Sequence, residues 1–256
     1  MKQIIAMHGW GGDSTSWLSW HNYFEARGWR WQSGERGYGG QKQFMPNWLA
    51  ENVPSHPSKS GCSRRVIIGH SLGPHLLEQK TLEEATDLVM LSSFGRFVPK
   101  GPCGRALRAG VQGMYSCLGT EQEDRMLKTF LTRAAHPYPF SAMPPGPIHK
   151  GLEVKGRLIM QQDLMKLIET EGLPKGLQEE SRVLVVMGED DAIVSSVAHS
   201  ELIDSLHCHL LQAPCQWRLN AVGHALLIPE LMEKVFEWLD SDFSDRVSLP
   251  RSNQTY

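Results

Sequence analysis

Residues 65–74 read Arg-Val-Ile-Ile-Gly-His-Ser-Leu-Gly-Pro. The β-branched run up to Ile68 predicts a strand, and the following residues, Pro74 to Lys80, suit a helix with proline in its first turn. Residues 69–73 match G-x-S-x-G, a turn that holds a strained, exposed serine between a strand and a helix. Ser71 is therefore a candidate nucleophile; a tight glycine turn without chemistry is the alternative interpretation.

Further apolar strands alternate with helical segments along the chain. Strands are predicted at residues 3–7, 29–32, 87–91, 182–187 and 217–219, and apolar residues at helical spacing occupy residues 230–239. Strands that alternate with helices indicate an α/β fold whose central sheet is mainly parallel and is flanked by helices.

The character of the chain changes between residues 97 and 168, where helical stretches and a proline-dense segment replace the strands. We expect an inserted helical cap at residues 97–168 on a core made of residues 1–96 and 169–256. Residues 96–168 hold 11 Lys and Arg against 5 Asp and Glu, a net charge of +6, whereas the remainder carries −8. The predicted cap is basic on an acidic body.

Composition excludes several classes of protein. The chain has 256 residues, a formal net charge of −2 and 41% hydrophobic residues, far from the signature of disorder. No window approaches the roughly 20 apolar residues of a membrane span, and the first apolar run is too short for a signal peptide. We expect a cytoplasmic monomer that binds no nucleic acid, and the five cysteines without a C-x-x-C pair indicate neither a disulfide framework nor a zinc site.

A nucleophilic serine needs a base and a carboxylate that orients the base, and in this topology they follow in the order Ser, acid, His. The strand at residues 182–187 leads into Gly-Glu-Asp-Asp, so a carboxylate emerges at its carboxyl end. We favour Asp191, because apolar residues follow it at once, and keep Asp190 as the alternative. His224, between Gly223 and Ala225 on a late loop, is the candidate base.

The first loop supplies candidate donors for an oxyanion. His8-Gly9-Trp10 follows the first strand, so the main-chain N–H of Trp10 is expected to lie opposite that of Leu72. Two such donors form an oxyanion hole; a simple glycine turn is the alternative.

Together these motifs resemble the α/β-hydrolase fold superfamily, over nearly the whole chain. Within it, Met7-His8-Gly9-Trp10-Gly11 and the Ser71 turn with a helical cap resemble the pimeloyl-acyl-carrier-protein methyl ester esterases of biotin synthesis. The resemblance implies serine carboxylesterase activity on a carrier-bound methyl ester, with no metal or organic cofactor. Two residues depart from the usual pattern: Arg36, where many relatives have Asp, and Pro74, where Gly or Ala is usual.

A basic cap suits an acidic acyl carrier protein, because opposite charge steers association. Candidate docking residues are Arg105, Arg108, Arg125, Arg133 and Arg157, and candidate substrate-binding residues are Trp10, Leu72, Tyr115 and Phe130. The alternatives are a general short-chain esterase or thioesterase that uses a small ester without a carrier protein, and a binding protein on the same scaffold.

Overall fold

A computed structural model describes residues 1–50 and 63–241. In this part of the chain six strands form one parallel sheet in the order β2-β1-β3-β4-β5-β6. The strands are β1 (Lys2–Met7), β2 (Arg30–Ser33), β3 (Arg64–His70), β4 (Asp87–Leu91), β5 (Arg182–Gly188) and β6 (Cys215–Leu219). The parallel sheet expected from the alternation of strands and helices is confirmed.

Helices cover both faces of this sheet, which explains why its central strands are apolar on both sides. The helices are α1 (Leu18–Glu25), α2 (Gly73–Leu76), α3 (Gln79–Glu83), α4 (Pro102–Cys117), α5 (Glu123–Ala135), α6 (Pro147–Lys150), α7 (Val154–Glu169), α8 (Ser196–His209) and α9 (Leu231–Asp240). Neighbouring residues of one strand enter different cores: Ile5 belongs to the core that includes residues of α4, α7 and α8, and Ile4 to the core that includes residues of α1 and α9.

The single helix predicted from Pro74 to Lys80 is wrong in part. Helix α2 ends at Leu76, and Leu77 is extended, with φ −76° and ψ 154°, before α3 begins at Gln79. Leu76 and Leu77 are both buried in the same core on either side of this break. Burial of two consecutive leucines therefore outweighs the local preference for one continuous helix.

Helices α4 to α7 lie between β4 and β5 in the chain, and no strand lies among the residues described there. We propose that they form the cap, with the bounds 97–168 derived from the sequence. Helices α4 and α7 pack against each other. Within residues 1–50 and 63–241, no helix combines the length and the apolar character needed to cross a lipid bilayer.

Candidate active site

Ser71 follows β3 directly and has a left-handed backbone, with φ +54°. This conformation is uncommon for a residue with a side chain and must be held by its surroundings. The main-chain N–H of Ser71 donates to the carbonyl of Leu91 at 2.8 Å, and the hydroxyl of Ser93 donates to the carbonyl of Ser71 at 2.7 Å. The end of β4 thus fixes the strained turn.

The two glycines of the turn are required by close approach of neighbouring groups. A Cβ at Gly69 would overlap the ring of Pro74, and one at Gly73 would overlap the main-chain carbonyl of Met7. Pro74 therefore occupies the space above Gly69, which gives this departure from the usual pattern a packing role.

The imidazole of His224 is paired with Asp191. The Nδ1 nitrogen of His224 lies 2.9 Å from Oδ2 of Asp191, and both side chains are almost fully buried. The other oxygen of Asp191 accepts the main-chain N–H groups of Ile193 at 2.8 Å and Val194 at 2.9 Å. A carboxylate acceptor at Nδ1 places the imidazole proton there and leaves Nε2 free to accept a proton.

Burial alone would favour the protonated form of Asp191. The facing His224 and the two main-chain donors outweigh burial and hold the pKa of the Asp191 carboxyl below its ordinary value. The carboxylate is therefore charged at neutral pH. Asp190, the alternative, is exposed, and its main-chain N–H donates to the carbonyl of Val222 at 2.9 Å.

The loop after β1 lies against the serine. A Cβ added at Gly9 would stand 2.8 Å from Cβ of Ser71, so only glycine allows this approach. The carbonyl of Gly9 accepts from Nδ1 of His8 at 2.8 Å and from the N–H of Gly12 at 3.2 Å. These contacts fix the orientation of the peptide that joins Gly9 to Trp10.

A cavity of about 510 Å³ opens beside Ser71. Its wall combines Trp10 with apolar side chains of α4 and α5 and, toward the end of α7, Leu164 and Leu167. Phe130 and Trp10 meet edge to face, with ring centroids 4.8 Å apart. A second cavity of about 250 Å³ is lined by His224, His70 and, again, Trp10 and Phe130. These two aromatic rings thus border both cavities.

The remaining sequence-predicted binding residues divide into separate groups. Trp10 and Phe130 line the larger cavity. Leu72 and Tyr115 are not among its lining residues in the described part of the chain, because the Leu72 side chain is fully buried in the core and Tyr115 is 39% exposed to solvent. Arg125 and Arg133 also line the larger cavity, and Arg105 and Arg108 line a different groove with Lys100. Arg157 is held by Glu123 through hydrogen bonds of 2.7 to 3.0 Å.

Two residues of this region were not singled out by the sequence. His70 donates from Nε2 to the main-chain carbonyl of His224 at 2.9 Å, and nothing in the sequence around it indicates that bond. Asp163 is completely buried on α7 and bound by Arg36 and Tyr38. The sequence did contain a signal for Asp163: this acid lies at the same helical spacing as apolar residues of α7 such as Met160 and Leu167. A carboxylate on the buried face of a helix needs a charged or hydrogen-bonding partner.

His199 is a further titratable group beside the pair, with Nε2 4.0 Å from Oδ2 of Asp191. Burial lowers its pKa, so that it stays neutral at neutral pH. Among the described residues, no group of three or more His, Cys, Asp or Glu side chains is arranged to hold a metal ion.

No protein-family model matches the chain, and no curated protein matches its sequence. Solved structures do match it. The esterase EaEST from Exiguobacterium antarcticum is 14% identical, with 94% of this chain and 92% of that chain covered and a TM-score of 0.65. The esterase RhEst1 from Rhodococcus sp. ECU1013 is 16% identical, with 94% and 90% covered and a TM-score of 0.60.

A third match is the bottromycin epimerase BotH, solved in complex with bottromycin A2. It is 11% identical, with 91% of this chain and 87% of that chain covered and a TM-score of 0.54. Similarity at these identities establishes the fold alone, and it is the α/β-hydrolase fold, as expected from the sequence. Because an epimerase shares this fold with esterases, the chemistry has to be argued from the site.

Proposed function

We propose that this protein is a serine carboxylic ester hydrolase in which Ser71 is the nucleophile, His224 the general base and Asp191 the carboxylate that orients the base. The observation that carries the proposal is the buried 2.9 Å contact between His224 and Asp191, on a chain that also holds Ser71 in a strained turn beside a cavity. The exposed Asp190, which was the alternative acid, has no such contact among the described residues.

The reaction proceeds in two halves. His224 takes the hydroxyl proton of Ser71 at Nε2 while the Oγ oxygen attacks the ester carbonyl carbon. The tetrahedral intermediate collapses, the carbon–oxygen bond to the alcohol breaks, and His224 returns the proton to the leaving oxygen. Water then attacks the acyl-enzyme by the same route, releasing the carboxylic acid and restoring Ser71. No metal or organic cofactor takes part in this scheme.

The negative charge of the tetrahedral intermediate requires donors that are in place before the reaction. The main-chain N–H groups of Trp10 and Leu72 take this role in the proposal. Two observations support it: Gly9 lies close to Ser71, and the carbonyl of Gly9 accepts two hydrogen bonds. A peptide held in this way reorients little when charge develops.

For the substrate, we propose an acyl ester carried by an acidic acyl carrier protein, namely the methyl ester of pimeloyl-acyl-carrier protein used in biotin biosynthesis. The cavity beside Ser71, whose wall is mostly apolar, suits an acyl chain. Four exposed arginines have no carboxylate partner among the described residues and would face the carrier: Arg105, Arg108, Arg125 and Arg133. Arg157 is the weaker candidate, because Glu123 already neutralises it.

The first experiment measures hydrolysis of p-nitrophenyl butyrate and labelling by a fluorophosphonate, in the wild type beside Ser71→Ala. We expect both signals to vanish in the variant. Retention of more than a small fraction of the turnover by Ser71→Ala would refute the assignment of the nucleophile.

The second experiment tests the carrier. Arg105→Glu combined with Arg108→Glu is compared with the wild type on pimeloyl-carrier protein methyl ester and on the free small ester, at low and high salt. A loss on the carrier-bound ester alone, mimicked by high salt, supports the carrier substrate. Equal activity of both proteins on the carrier-bound ester would instead favour a general esterase without a carrier partner.

A further inference from the structure

The buried carboxylate of Asp163 lies on the cap helix α7, remote in sequence from every group in the proposed mechanism. Arg36 grips it with two charge-assisted hydrogen bonds, from Nε at 2.7 Å and from Nη2 at 2.6 Å, and the hydroxyl of Tyr38 donates to it at 2.7 Å. The partly exposed Lys166 also lies nearby, with its Nζ 3.8 Å from Oδ1 of Asp163. Bidentate arginine contacts fix orientation as well as distance, so this cluster ties α7 firmly to the loop after β2.

That loop is in turn bonded to the first loop. The main-chain N–H of Arg36 donates to Nε2 of His8 at 3.3 Å, and Nδ1 of His8 lies 2.8 Å from the carbonyl of Gly9. A carbonyl only accepts, so Nδ1 carries the imidazole proton and Nε2 is free to accept. Burial lowers the pKa of His8 and preserves this neutral form.

A second connection runs from the same helix to the same peptide. The indole N–H of Trp10 donates to the main-chain carbonyl of Met160 at 2.9 Å, three residues before Asp163 on α7. The peptide that joins Gly9 to Trp10 is planar, with its carbonyl and N–H pointing in opposite directions. His8 therefore holds one end of this peptide and the Trp10 side chain the other, and both connections end on one helical turn.

We propose that Asp163 is a positioning residue for catalysis, which, through Arg36 and His8 on one side and Met160 and Trp10 on the other, aims the Trp10 main-chain N–H at the oxyanion. The inference deepens the proposed function and rests on it. It assigns a role to Arg36, one of the two residues at which this chain departs from the superfamily pattern, and makes the cap helix α7 a support of the oxyanion hole.

The principal variant is Asp163→Asn, and the chain offers a matched control. Glu123 is also a largely buried carboxylate and is paired with an arginine of α7, Arg157. This pair links α7 to α5, and among the described residues no hydrogen bond or ion pair joins Glu123 to the first loop. Glu123→Gln therefore removes a comparable ion pair without touching the proposed connection. Both variants are assayed with a small p-nitrophenyl ester, with active sites counted by fluorophosphonate titration.

We expect Asp163→Asn to lower kcat per active site about tenfold or more with KM nearly unchanged, because the donor acts on charge that exists only in the transition state. Affinity for a trifluoromethyl ketone, whose serine adduct carries an oxyanion, should fall by the same factor. Glu123→Gln should leave both quantities within about twofold of the wild type. Folding is checked by circular dichroism.

A double-mutant cycle keeps the proposal testable if Asp163→Asn folds poorly. Trp10→Phe removes the bond to Met160 while keeping an aromatic ring, and Tyr38→Phe weakens the hold on Asp163 without removing its charge. If both contacts act on the same peptide, their effects on kcat should be non-additive.

Three results would overturn the positioning role while leaving the esterase assignment intact. Folded Asp163→Asn keeps the wild-type kcat per active site, Glu123→Gln loses as much kcat as Asp163→Asn, or the effects in the double-mutant cycle are strictly additive. Absence of Ser71-dependent hydrolysis in the wild type would instead overturn both proposals.

Discussion

Nε2 of His70 lies 2.9 Å from the main-chain carbonyl oxygen of His224, with the two imidazole rings 5.0 Å apart. The residue that precedes the proposed nucleophile thus holds the backbone of the proposed base. Ser71 and His224 come from elements more than 150 residues apart, and this bond joins them independently of the substrate.

We predict that His70→Phe lowers kcat several-fold, because an unpaired carbonyl at His224 lets the loop of the base move away from Ser71. His75→Phe is the matched control, since His75 also donates to a main-chain carbonyl, that of Phe94, at 2.7 Å. The control should lose stability and keep its kcat. Equal kcat values for the two variants would show that the bond from His70 is structural only.

His70 also predicts a pH dependence of stability. Burial, followed by the nearby His224, lowers the pKa of His70 to about 4 from an ordinary 6.5. Below pH 6.5 the unfolded chain binds a proton that the folded chain refuses until about pH 4, so the free energy of unfolding falls as pH falls across this window. The contribution of His70 is at most about 3 kcal/mol.

Denaturant unfolding at about pH 7 and about pH 4.5 measures this effect. The decrease on acidification should be smaller in His70→Phe than in the wild type. The free energy of unfolding of the variant should still decrease on acidification, because the pKa values of His8, His75 and His199 are also lowered. An identical decrease in both proteins would contradict the assignment to His70.

The sequence predicted what depends on local pattern and chain order. The strand before Ser71 and the glycine turn follow from residues close together in the chain, and the parallel character of the sheet follows from the alternation of strands with helices. His224 and Asp191 could be proposed because their order along this topology is restricted. The choice of Asp191 over Asp190 depends on which way each side chain points after β5, which the sequence alone left open.

Contacts between distant segments cannot be predicted from local sequence. Arg36 and Asp163 are 127 residues apart, and their pairing depends on where α7 packs over the loop after β2. The break at Leu77 has a similar cause, because the burial of two adjacent leucines is decided by the shape of the core. In both cases tertiary packing overrides what a local window of sequence reports.

Gly9→Ala tests the approach of the first loop to the serine. The new methyl group would stand 2.8 Å from Cβ of Ser71 and 3.0 Å from the carbonyl oxygen of His70, so the loop must move outward. We predict a loss of about 10² in kcat, as for displacement of an oxyanion donor. Measuring kcat and the affinity for a trifluoromethyl ketone should reveal parallel losses.

Gly113→Ala is the control for that substitution. Gly113 lies on α4, and in the described part of the chain no atom beyond its own helical turn and chain neighbours comes within 4 Å of the position that a Cβ would take. The change should stabilise the protein by about 0.5–1 kcal/mol and leave kcat unaltered. If Gly9→Ala keeps the kcat of the wild type, the assignment of the first loop to the oxyanion hole is wrong.

Asp191→Asn tests the orientation of the base. The side-chain oxygen of asparagine can keep the bonds to Ile193 and Val194, which places its NH₂ group toward Nδ1 of His224. His224 would then carry its proton on Nε2, the wrong tautomer for accepting one from Ser71, and we expect kcat to fall by about 10³–10⁴. Asp190→Asn should match the wild type, and the reverse result would identify Asp190 as the working acid.

Met114→Trp tests whether the larger cavity holds the acyl group. Met114 lines the cavity from α4, so a bulkier ring there reduces the volume beside Ser71. The ratio of kcat/KM for long and short p-nitrophenyl esters should shift toward short chains. Tyr115→Trp, at the next and exposed position, should keep the wild-type ratio. If Met114→Trp folds normally and its chain-length profile is unchanged, the acyl chain does not bind in the larger cavity. The smaller cavity beside His224 would then be the candidate acyl site.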